Sequence, residues 1–130
     1  MGNSFRKINF EDVQRSIRDN HIIISTLPSD MQTCLILNTI PASLEEEQMN
    51  DYIKKGKNIR IIIYGKNTHD EKIIQKYKQL TSYGFKNVYI YLGGMFEWLL
   101  LQDIYGKEEF PTTQVEKDIL KYKPSSTVFQ

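Results

Sequence analysis

The chain has 130 residues, of which 40% are hydrophobic and 25% charged, and its net charge is +1. That length implies one domain with a real core, and seventeen basic against sixteen acidic residues give no field for a dedicated nucleic-acid or acidic-membrane binder. The lone cysteine, Cys34, excludes an internal disulfide framework and suits an intracellular, cytoplasmic setting. No apolar run approaches the ~20 residues of a membrane span, and no signal-peptide pattern opens the chain.

The start, Met1-Gly2-Asn3-Ser4-Phe5-Arg6, approaches a myristoylation signal, but Arg6 stands where Ser or Thr is wanted. A frayed terminus is the expectation. Lys7-Ile8-Asn9 reads as a short edge strand. Phe10, Val13 and Ile17 then recur at helical spacing over 10–19, with Asn9 as the cap. The branched run 21–26 reads as a strand buried on both faces, and Leu27-Pro28-Ser29-Asp30 as a turn. Residues 33–40 are apolar enough for a further strand. Ser43 and Glu46 have capping-box spacing, and Leu44, Met49, Tyr52 and Ile53 give the following helix an apolar side. Lys54-Lys55-Gly56-Lys57 closes it, with cations at the negative end and Gly56 as a left-handed cap.

The run 59–64 is a β-branched strand that feeds the loop Gly65-Lys66-Asn67-Thr68-His69-Asp70-Glu71. Thr68 and Glu71 form a second capping box, and Ile73, Ile74, Tyr77 and Leu80 define a helix face that ends near Gly84. In the strand 88–92, alternation sends Tyr89 and Tyr91 to one side and Val88, Ile90 and Leu92 to the other. A helix over 95–105 follows Gly93-Gly94, then a weak, charged helical segment over 114–122. Residues 1–123 make the domain, and 124–130 a mobile tail. This alternation predicts an α/β fold with a mainly parallel sheet of about five strands and helices on both faces.

Gly84-Phe85-Lys86-Asn87-Val88, then Leu92-Gly93-Gly94 and Trp98, resemble the C-terminal signature of rhodanese-like domains, where a "GF-x-NV" strand leads to a "GG-x-x-x-W" helix. The resemblance extends over about residues 6–105 and implies that 61–64 is the strand delivering the active-site loop. In the family's sulfurtransferases a nucleophilic cysteine follows that strand directly; the matching position here is Gly65. A later loop arginine is matched by Asp70 or Glu71, and the aspartate and arginine that close the second strand by Ser25 and Leu27. The stretch between Gly65 and Gly84 is slightly longer than in typical sulfurtransferases, as in the dual-specificity cell-cycle phosphatases that share the fold. Those enzymes also need the cysteine.

Persulfide carriage needs a thiolate at the mouth of the loop, and Gly65 offers no side chain. Amides at a helix start still bind a small anion, but Asp70 and Glu71 set two carboxylates beside them and leave Lys66 as the single cation. Cys34 lies in an apolar run, which predicts burial, a raised pKa and low reactivity. Two distant histidines and one cysteine make a zinc site untenable, and no cofactor is implied. Met95, Phe96, Leu99, Leu100 and Leu101 make the last helix apolar nearly all round, which points to a partner surface or self-association. The leading expectation is a non-catalytic rhodanese-like domain acting as a protein-binding, regulatory or structural module. The alternatives are an enzyme of altered chemistry using His69, Lys66 and Asp70, on a phosphorylated ligand, and a sulfur or redox role for Cys34.

Overall fold

The computed structural model describes residues 5–126 and 128. The lipidation pattern at 1–4 and the tail positions 127, 129 and 130 lie outside the described residues. The elements run β1 (Lys7–Ile8), α1 (Phe10–Arg18), β2 (Ile22–Ser25), α2 (Ala42–Lys55), β3 (Arg60–Tyr64), α3 (Lys72–Ser82), β4 (Asn87–Tyr91) and α4 (Gly94–Tyr105). The four strands form one sheet in the order β1-β4-β3-β2, and every pairing is parallel.

Strand alternation divides the core into two layers. Ile23, Ile62, Tyr64 and Tyr91 pack with Val13, Met95, Trp98, Leu99, Phe110 and Tyr122, which places α1, α4 and the C-terminal segment on one face. Ile24, Ile61, Ile63, Val88 and Ile90 pack with Met49, Ile73, Leu80 and Phe85, which places α2 and α3 on the other. The continuous Ile61-Ile62-Ile63 run of β3 is what a central parallel strand covered on both faces requires.

Several local expectations hold. Asn9 caps α1 in a reciprocal box, accepting from the Asp12 amide at 3.0 Å while its own amide donates to the Asp12 carboxylate at 3.1 Å. The edge strand forms over Lys7–Ile8. Gly84, at φ +96°, ends α3 in the left-handed region. Tyr91 and Tyr89 lie with the first layer; Val88, Ile90 and Leu92 with the second.

Others are corrected. Residues 33–40 are not a fifth strand: Asn38 turns the chain at φ +72°, and only single bridges join Thr39 to Ile23 and Ile36 to Thr112. Cys34, Leu35 and Ile36 are buried in the same layer as Phe110 and Tyr122 of the C-terminal segment, with Leu37 N donating to Pro111 O and Thr113 N to Leu35 O. That same pairing leaves 114–118 without regular structure, followed by a short 3-10 turn over Ile119–Tyr122 in place of a helix. α2 starts two residues earlier than Ser43 would allow as its cap, at Ala42 behind Pro41. Its first amide, Ala42 N, is satisfied from a distance by Gln32 Oε1 at 2.9 Å. Gly56 is extended, at φ 171°, not left-handed.

Candidate functional site

At the carboxyl ends of β2, β3 and β4 the following loops surround an open cleft of about 1090 Å³. This end of a parallel sheet is where α/β folds place ligands. The loop that leaves β3 forms one wall.

That loop is organised by two side chains that fold back on their own backbone. Asp70 accepts from the Thr26 hydroxyl at 2.9 Å and from the amides of Lys66 and Lys72 at 3.0 Å each. Asn67, 5% exposed, accepts from the His69 amide at 2.8 Å and donates through Nδ2 to Tyr122 O at 2.8 Å. Both are Asx-turn arrangements, in which a short polar side chain accepts from the amide two residues on. They displace the expected Thr68–Glu71 box: α3 begins at Lys72, and Glu71 makes no side-chain cap bond. Three of the amides that would face an anion are therefore already paired within the protein.

Gly65 is the loop's pivot. A Cβ built on it would lie 2.3 Å from Asp70 Oδ2 and 2.8 Å from Thr26 Oγ1, so the space a side chain would use holds the Asp70 carboxylate. Behind Gly65, the glycine pair that opens α4 acquires a physical reason. Gly94 sits at φ +66°, and a Cβ on it would approach Gly65 O to 2.6 Å. Only a glycine lets the helix start come this close, and Met95 N then donates to Gly65 O at 2.9 Å and Phe96 N to Lys66 O at 3.0 Å.

Of the loop residues singled out from sequence, Gly65 and Asn67 are buried, Lys66 and Asp70 half-buried, and Thr68, His69 and Glu71 exposed. The His69 ring has no hydrogen bond or ion pair to any described residue. Lys66 is not the single cation of the site. Lys7 from β1, Lys72 from α3 and Lys123 from the C-terminal segment line the same cleft. Spacing gives no hint of Lys7 and Lys123, which arrive by topology alone. Thr26, which anchors Asp70, was equally invisible as the residue after a strand; the Asx-turns were legible from Asn67 and Asp70.

Cys34 stands apart from the loop. It is 1% exposed, its thiol donates to Gln114 O at 3.3 Å, and burial pushes its pKa up. Burial likewise raises the Tyr64 phenol, which bonds to Thr39 Oγ1 at 2.8 Å and accepts from Ile36 N at 3.1 Å. The Tyr91 phenol is raised by burial first and then by its hydrogen bond to the Glu97 carboxylate. Among the described residues no group of three or more His, Cys, Asp or Glu is placed to hold a metal ion.

The surface expected on α4 is largely interior. Met95 and Leu99 are 0% and 1% exposed, Phe96 and Leu101 are partly buried against the same core, and Leu100 alone of the five is exposed. The covering element is the chain's own C-terminal segment. Trp98 Nε1 donates to Pro111 O at 3.1 Å and Gln102 Nε2 to Phe110 O at 2.8 Å, with Phe110 edge-on to Trp98.

Comparison with known proteins agrees with this architecture. The family described as the rhodanese-like domain matches residues 14–101. The crystal structure of the Alr3790 protein from Anabaena sp. superposes with a TM-score of 0.59 at 19% identity, covering 88% of this chain and 97% of that one. The solution structure of the rhodanese-like domain from the same Anabaena protein gives a TM-score of 0.60 at 20% identity over 95% of this chain and 87% of that one. A full-length protein from Lactobacillus plantarum gives 0.59 at 14% identity, covering 84% and 88%. At these identities the likeness is one of fold. No curated protein matches the sequence. The chain belongs to the rhodanese-like domain family.

Proposed function

We infer that this is a non-catalytic rhodanese-like domain, a module that regulates or organises by binding another protein. The observation that carries the reading is the side-chain space beside Gly65, filled by the Asp70 carboxylate where sulfur transfer needs a thiolate. The one thiol in the sequence, Cys34, is buried behind the C-terminal segment, and that burial raises its pKa. No adjustment of neighbouring groups replaces a missing nucleophile in a covalent mechanism.

The test is cyanide-dependent formation of thiocyanate from thiosulfate by the purified protein. The expected rate equals that of buffer. A rate well above buffer that disappears in Cys34→Ser would overturn the reading and move the chemistry to that thiol.

A further inference from the structure

The cleft has a charge pattern that the whole chain lacks. Lys7, Lys66, Lys72 and Lys123 come from four separate parts of the fold and line one opening, in a protein whose net charge is only +1. None of the four forms an ion pair with a described residue; the ion pairs present engage Arg15, Lys55, Lys76 and Lys121. Of the two facing carboxylates, Asp70 is committed to three hydrogen bonds, and Glu71 is exposed. Apolar side chains, among them Met31, Ile74 and Leu92, line the same cleft.

These features select among anions. A single small anion would be gripped by loop amides, and those of Lys66, His69 and Lys72 already have partners. The cleft's ~1090 Å³ also far exceeds what one such ion fills. A nucleic-acid strand would want free aromatic faces for its bases, whereas Phe5 in the wall is engaged edge-on with Tyr77 at 5.0 Å. We propose that the cleft receives an extended acidic segment of a partner protein, its carboxylates meeting the four lysines and its apolar side chains resting against the apolar lining. The proposal rests on the protein-binding reading above and names the face and the chemistry of the partner.

The experiment is fluorescence anisotropy with a labelled peptide of alternating glutamate and leucine, titrated with the full chain. The expected result is saturable binding that weakens with added salt. The double variant Lys66→Glu/Lys72→Glu should bind about tenfold or more weakly, as like charges across an interface do. The double variant keeps the loop, because Asp70 uses the backbone amides of these residues; unchanged circular dichroism and melting would show it. The proposal fails if a lysine–leucine peptide binds as tightly, if the double variant binds like the parent, or if inorganic phosphate or a short oligonucleotide displaces the peptide at equal concentration. Any of these failures leaves the non-catalytic reading standing, since that one falls only to thiocyanate formation.

Discussion

Gly65 and Asp70 show how two residues decide what this site can do. A Cβ on Gly65 would fall on the Asp70 carboxylate, which fills the volume that a side chain at the end of β3 would use. A double-mutant cycle tests the arrangement. Gly65→Ala should cost about 1–3 kcal/mol, the usual range for overpacking. Asp70→Ala should cost about 1–3 kcal/mol by leaving its donors unpaired. The double variant should lose less than the sum, by about 1 kcal/mol or more, because the second change removes the clash created by the first. Urea unfolding of the four proteins measures the coupling. Strict additivity would mean that the carboxylate does not occupy the side-chain space of residue 65.

Among the elements, the C-terminal segment has the largest effect on how the rest is read. α4 carries apolar residues on more sides than one sheet face can cover, so from sequence it resembles a docking helix. The segment that follows it turns back and covers the second side, donating Phe110 to a cluster with Phe10, Trp98 and Tyr105. Phe110 is 3% exposed, and Phe110→Ala should therefore cost about 3–5 kcal/mol, more than any surface residue of α4. Ile104→Ala, at a position 69% exposed, should stay within about 0.5 kcal/mol. Chemical denaturation of both variants separates a helix packed by its own chain from one left bare. The segment also reaches the loop, since Tyr122 O accepts the Asn67 amide group and Lys123 lines the cleft. Loss of Phe110 should accordingly weaken the peptide binding proposed above as well as stability.

For the whole molecule, the titratable groups buried in the first core layer, Cys34 and Tyr64 together with Tyr91 and Tyr122, set the alkaline limit. The Cys34 thiol and the Tyr64 phenol have pKa values raised by burial above their ordinary 9.0 and 10.0. Folding therefore favours their protonated forms, and that contribution is complete below the pH at which they ionise in the unfolded chain. It is lost as pH rises beyond, first for the thiol. The urea midpoint, followed from neutral to alkaline pH, should fall, and Cys34→Ser should delay the onset of the fall. A midpoint that stays level would mean that these groups ionise in place.

How much of this was legible in the sequence depends on whether the cause is local. Periodicity of two in Val88–Leu92, a reciprocal cap at Asn9 and Asp12, and the branched run of β3 are set by neighbours in the chain, and they form as the sequence implies. The extra strand over 33–40, the helix over 114–122 and the cap of α2 did not, because each was decided by a distant partner, whereas the cap of α3 gave way to the local Asx-turns of Asn67 and Asp70. Residues 35–37 and 111–113 bond to one another, and Gln32 satisfies Ala42. The loop was half legible: Gly65 and the acidic pair Asp70 and Glu71 could be read directly, but not that Asp70 turns inward to Thr26.

Residue type and spacing along one stretch of chain were enough for the parallel α/β frame, the family signature and Gly65 as the residue that follows β3. Contacts between distant parts of the chain were needed to cover one side of α4 with the C-terminal segment and to bring lysines far apart in the chain to one cleft. The reason is that burial and electrostatic potential depend on which side chains are close in space, and a parallel sheet brings the ends of separate crossovers together at one edge.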